Sequence, residues 1–199
     1  LGLTAYVADV SGHGIAAGTM MGMIKMAVRL FATQGDGALD PGALLDALNR
    51  ALPSVKEPNA FATAACISAR PDGQVFFSTA GHGPIFHYSP CTRSISALHI
   101  AQFPLGLFPS TYVSETIRLA AGDILAISTD GILEAESRTG IEFGSAQLEK
   151  IIIENAKERL STVFARVAAA LHKHAPNPSD DCSLLLLRWI AGEPGTCEE

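Results

Sequence analysis

Three aspartate sites sit where an apolar run gives way to a turn. Asp9 closes "YVAD" and is followed by "SGHG", Asp130 follows "LAIST" and precedes Gly131, and Asp180 and Asp181 lead into "CSLLLL". A carboxylate at the end of a buried strand can do chemistry if its neighbours are also carboxylates. Gathered acids repel one another, and an unpaired buried charge is costly. Hard divalent cations such as Mg²⁺ or Mn²⁺ relieve that repulsion by taking oxygen ligands. Gly12, Gly14 and Gly131 beside the acids leave room for a substrate or a carbonyl to approach. Taken singly, each acid has a plainer reading as the cap of a turn or helix. The chemical reading therefore depends on elements that bring the strand ends together.

Those elements can be traced along the chain. Residues 3–8 read as a buried strand, and 15–33 as a helix that is apolar nearly all round and so largely buried. Asp40 at an N-cap and Pro41 at N1 start a second helix, which Pro53 ends. Residues 61–69 form a strand, "RPDGQ" a tight turn and "VFFST" the returning arm of a hairpin. "IFHYS" is a further strand, with weaker ones near 94–99 and 113–119. Residues 121–129 give a turn and a strongly apolar strand that ends at Asp130. Ser145 and Ser161 are placed to cap two helices, and "CSLLLLRWI" is a final buried strand. The helices fall into two groups, with turn-linked strands between them. The fold class is therefore α+β, with antiparallel sheets and helices packed outside, rather than a βαβ alternation. Met20, Met21, Met23 and Met26 fall at helical spacing and fill core or interface.

Composition narrows the function. The net charge of −6 and acidic pI argue against a nucleic-acid partner, which needs a basic face. Lys25 and Arg29 interrupt the longest apolar stretch, Ile15 to Phe31, so no membrane span is read and no membrane partner is expected. No basic leader precedes an apolar core at the start. Cys66, Cys91, Cys182 and Cys197 show no CxxC pairing and no zinc-ligand spacing, so they read as reduced thiols of a cytoplasmic protein. Only Cys182 has an arginine six residues later, Arg188, and the residues between them belong to the apolar run "SLLLL", read as a buried strand rather than a phosphate-binding loop. Ser128 stands where the dehalogenase-like phosphatases need a nucleophilic aspartate, which excludes that chemistry behind "STDGI".

Five stretches in order, "ADVSGHGIAAGTMMGMIK", "FATAACISARPDGQVFFSTAGHGPIF", "GDILAISTDGILEAES", Phe143-Gly144 and "DDCSLLLLRW", resemble the metal-dependent Ser/Thr protein phosphatases of the protein phosphatase 2C (PPM) type. The branch is the bacterial stage II sporulation protein E and sigma-factor regulator group. The likeness covers roughly residues 3–190. It implies a sandwich of two antiparallel sheets flanked by helices, in a single phosphatase domain over 1–191 with a polar tail at 192–199. It implies two Mn²⁺ or Mg²⁺ ions held by Asp9, the Val10 carbonyl, Asp130 and Asp180, with Asp181 a less direct neighbour. A metal-activated water would attack phosphorus, with no protein nucleophile. His13 matches a family histidine that could protonate the leaving serine oxygen, or could simply shape the turn. His82 in "AGHGP" matches a signature whose role is more structural. The substrate implied is a phosphorylated regulatory protein, such as an anti-anti-sigma factor.

The chain departs from that pattern at its start. The family's upstream Gly-Asp motif, whose aspartate is a further ligand, is absent before Leu1. The expectation is a truncated form of a longer protein carrying an N-terminal sensor domain. Such a form would bind one metal more weakly and expose a sheet edge on which two copies could pair as a homodimer. The alternative function is a catalytically impaired phosphatase-fold module that binds a partner or passes a signal.

Overall fold

Eight strands and five helices are present in the computed structural model, which describes residues 2–33, 39–54 and 56–190. The expected tail at 192–199 lies outside the described residues. The contacts divide the chain into two units: residues 1–82 with 99–119, and 83–98 with 120–199.

The first unit holds a four-stranded antiparallel sheet. Its strands are β1 (Leu3–Val10), β2 (Ala62–Ala69), β3 (Gln74–Ala80) and β6 (Glu115–Arg118), in the order β1-β2-β3-β6. β1 is two residues longer than its sequence suggests, so Asp9 is still within the strand, opposite Thr63. The turn between β2 and β3 forms as expected. Arg70 N–H donates to the Gln74 carbonyl, and Gln74 N–H donates to Asp72 Oδ1. Helices α1 (Gly14–Thr33) and α2 (Pro41–Ala51) lie between β1 and β2 in sequence, and a single 3₁₀ turn (Leu52–Ser54) takes in Pro53. Asp40 caps α2 as predicted, accepting from Gly42 N–H at 2.9 Å with Pro41 behind it.

The core of this unit is a helix-on-sheet layer. Met20, Ile24 and Val28 of α1 and Leu44, Leu45 and Leu48 of α2 meet Ala62, Ala64 and Cys66 of β2. The small residues of β2 let the helices come close to the sheet. Only those three residues of α1 are buried, against the expectation of a helix buried all round. Their i, i+4, i+8 spacing gives one narrow stripe. Ile15, Met23, Met26 and Leu30 point outward. By length and composition alone α1 could cross a membrane, Lys25 and Arg29 notwithstanding.

The second unit holds β4 (Ile85–Ser89), β5 (Ser94–Leu98), β7 (Ile124–Ser128) and β8 (Leu184–Arg188), in the order β5-β4-β7-β8 and all antiparallel. A one-turn helix, α3 (Asp130–Leu133), follows β7 where only a turn was expected. Then come α4 (Gly144–Asn155) and α5 (Leu160–His174). Leu148 and Ile152 of α4 and Val163, Val167 and Leu171 of α5 pack with Phe86, Tyr88, Ile124 and Ala126 of the sheet. β7 is buried throughout, whereas β8, an edge strand, is only half-buried rather than fully so. Ser145 and Ser161 do not cap. Each helix begins before its serine, at N-caps Phe143 and Arg159 that make no side-chain cap bond. Cys66 and Cys182 are free thiols, but Cys91 is disulfide-bonded, against the expectation of four reduced cysteines.

Candidate metal centre

Antiparallel pairing decides which acids meet. In the second unit Ser128, the last residue of β7, is in register with Leu184, the first of β8. The residues just after β7 and just before β8 therefore share one end of the sheet. Those residues are Asp130 and the Asp180–Ser183 segment. Thr129, buried at 3% exposure, ties them together. Its hydroxyl donates to the Asp181 carbonyl at 2.9 Å and accepts from Ser183 N–H at 2.9 Å. Cys182 Sγ donates to the Gly131 carbonyl at 3.1 Å. A Cβ on Gly131 would collide with the Asp181 carbonyl oxygen and come within 3.3 Å of the Asp180 carbonyl carbon. The "TDG" glycine is thus required for close approach of two backbones, not for an unusual turn.

Both carboxylates of this pair are exposed. Asp130 Oδ1 accepts from Gly131 N–H and Asp180 Oδ1 from Asp181 N–H, which leaves each with a second oxygen. Neither has a cationic partner among the described residues. A cleft of about 490 Å³ opens beside them, lined by Gly131, Asp180, Glu134, Glu136 and Glu142. Burial, and after it Asp180 and Asp181, raise the pKa of the Cys182 thiol, so this cysteine is not a poised nucleophile.

In the first unit, Asp9 and Val10 close β1, opposite Thr63 and Ala62 of β2. Asp9 is partly buried and Val10 buried. Gly12 and Gly14 both adopt left-handed conformations, with φ of 85° and 81°. They turn the chain from β1 into α1 with His13 exposed between them. His82 is 4% exposed, and its Nδ1 lies 2.9 Å from Thr63 Oγ1. Thr63, its partner in that bond, is the β2 residue in register with Asp9.

Each unit by itself offers oxygen donors of the kind a hard divalent cation takes: the Asp9 carboxylate and Val10 carbonyl in the first, the Asp130 and Asp180 carboxylates in the second. Among the described residues, however, no three His, Cys, Asp or Glu side chains gather as a ready cation site. Sequence reading missed Thr129 and Thr63. The only signal was their place beside an acid or opposite one, and pairing partners are not visible in a linear chain.

This pair of four-stranded antiparallel sheets with helices is the architecture of the PP2C-type phosphatases. The chain belongs to the stage II sporulation protein E (SpoIIE) family, whose profile matches residues 2–190. It is 28% identical over 185 residues to the phosphoserine phosphatase RsbU of Bacillus subtilis, covering 92% of this chain and 54% of that one. The chain thus spans about half the length of that curated relative. Its fold matches the RsbU and RsbW domains of a Mycobacterium tuberculosis protein with a TM-score of 0.82 at 24% identity, over 97% of this chain and 53% of the other. It also matches the catalytic domain of the serine/threonine phosphatase PstP, solved with two manganese ions, with a TM-score of 0.66 at 11% identity, over 92% and 85% of the two chains.

Proposed function

We propose that residues 1–191 form one metal-dependent phosphoserine/phosphothreonine phosphatase domain acting on a phosphorylated regulatory protein, such as an anti-anti-sigma factor. The observation that carries this reading is the Thr129-tied pair of Asp130 and Asp180, without cationic partners among the described residues, in a chain of the SpoIIE family. Asp130 and Asp180, with Asp9 and the Val10 carbonyl from the first unit, would hold Mn²⁺ or Mg²⁺. When bound, the metal supplies Lewis acidity toward phosphoryl oxygens and a water of lowered pKa.

The chain's own residues do the rest. Thr129 and Gly131 fix where the Asp180 carboxylate stands relative to Asp130. Gly12 and Gly14 leave the backbone around Asp9 open to a phosphoryl group. His13, exposed in that turn, is the group we assign to give a proton to the departing serine oxygen. His82 stays structural, holding Thr63 opposite Asp9.

A second reading keeps the fold and gives up the chemistry: a catalytically impaired module that binds a partner. The lack of any three-residue ligand cluster among the described residues favours it. Phosphate release from a phosphoserine peptide, with added Mn²⁺ and again with excess chelator, separates the two. Turnover that disappears on chelation supports the phosphatase. Absence of turnover under both conditions, from a chain that melts cooperatively, leaves the binding module.

A further inference from the structure

The first unit carries a second cleft, of about 600 Å³, between the end of α2 and the loop 106–110. Its lining includes Arg50, Lys56, Leu107 and Phe108 and, among the described residues, contains no carboxylate, in a chain whose net charge is −6. Arg50 is 3.9 Å from Asp46, an exposed helix pair that binds it weakly. Asp46 itself is engaged by Tyr112 N–H at 2.6 Å. Lys56 Nζ donates to the carbonyls of Glu57 and Pro58, which leaves one of its three N–H groups available; the exposed Glu57 is its nearest acidic neighbour in sequence.

The apolar side of the cleft is held rigid. Asn49, 4% exposed, donates to the Phe108 carbonyl at 2.9 Å and accepts from Gly106 N–H at 2.7 Å. The Phe108 ring is 54% exposed and stands edge-on to Phe103, with centroids 5.3 Å apart. Tyr112 Oη donates to the Phe103 carbonyl. Exposed aromatics already fixed in place lose little entropy when a partner covers them. Leu105, one residue before the cleft's Gly106, bridges Ala62, the β2 residue in register with Val10.

We infer that this cleft docks an extended acidic segment of the phosphoprotein substrate, an apolar side chain seated on Leu107 and Phe108 and its carboxylates facing Arg50 and Lys56. The inference rests on the phosphatase reading for the identity of the partner, while the groove's preference for acid can be measured without turnover. The probes are two fluorescein-labelled phosphoserine peptides, one with a Leu-Glu-Phe-Glu segment and one with Leu-Lys-Phe-Lys, followed by anisotropy in chelator. Wild type should bind the acidic probe about 10-fold tighter, the size of one close charge pair of about 1.4 kcal/mol. Arg50→Glu/Lys56→Glu should reverse that order, Phe108→Ala should weaken both probes, and hydrolysis of a small aryl phosphate should be unchanged in both variants. Equal binding of the two probes by wild type overturns the inference, as does a dimer in light scattering that the charge reversal dissolves, since the cleft would then be covered by a second copy. A kept acidic preference with no phosphate release in Mn²⁺ sinks the phosphatase reading instead.

Discussion

Thr129 and Gly131 do more for the Asp130–Asp180 pair than either aspartate does for itself. Thr129→Val removes a hydroxyl that makes two part-buried hydrogen bonds to backbone and should cost about 1–3 kcal/mol, about 0.5–1.5 for each bond lost. Phosphate release should fall with it, and Thr129→Ser should restore both, as urea unfolding and a turnover assay will show. Gly131→Ala forces a Cβ against the Asp181 carbonyl, an overpacking of about 1–3 kcal/mol that also moves the Asp180 segment. His13 has a sharper test. If it protonates a serine leaving group, His13→Ala should lower kcat on phosphoserine by about 100-fold or more. An aryl phosphate, whose leaving group needs no proton, should be hardly affected. Equal losses on both substrates would return His13 to a role in the turn. Of these residues, Asp9, Asp130 and Asp180 were readable as acids beside apolar runs. Thr129 was not, because its value comes from a partner 52 positions away.

The elements divide into those written in local sequence and those set by packing. Asp40-Pro41 and "RPDGQ" carry their own hydrogen-bonding partners within a few residues, and both formed as read. Ser145 and Ser161 were equally good caps on paper. Their helices began one residue before each serine, with Leu148 and Val163, both fully buried, anchoring the first turns to the sheet. α1 was misread for a related reason: composition counts apolar residues, but only one stripe meets the core. Ile24→Ala, at 1% exposure, should therefore cost about 2–5 kcal/mol by cavity formation. Met26→Ala, at 61%, should change stability by no more than about 0.5 kcal/mol. β2 adds a pH signature. Burial, with a smaller contribution from Asp40, pushes the Cys66 thiol up to about 12 from 9.0. The folded state thus keeps its proton where the unfolded chain loses it. Stability is unaffected below pH 9 and falls as pH rises from 9 toward 12. Melting temperature against pH should show that fall, and Cys66→Ala should lessen it.

At the scale of the molecule, the acids come from separate units: Asp9 from the first, Asp130 and Asp180 from the second. Each unit has its own apolar core, and each places its acid at a sheet end through antiparallel register. The α+β class and the antiparallel pairing were legible because short turns link successive apolar runs, whereas the division into two sheets followed only from the family resemblance. Register and strand order were not, since they depend on pairs far apart in the chain. The proposed phosphatase function needs Asp9, Asp130 and Asp180 to act together. The direct measurement is Mn²⁺-dependent phosphate release by wild type, Asp9→Asn, Asp130→Asn and the Asp9→Asn/Asp130→Asn double variant. Groups that work as a unit show grossly non-additive losses. Even the supporting partners of a metal site are worth about 10- to 100-fold, so each single variant should lose more than about 100-fold. The double variant should be no worse than either single one. Full activity in either single variant, or losses that multiply in the double, would contradict a shared centre.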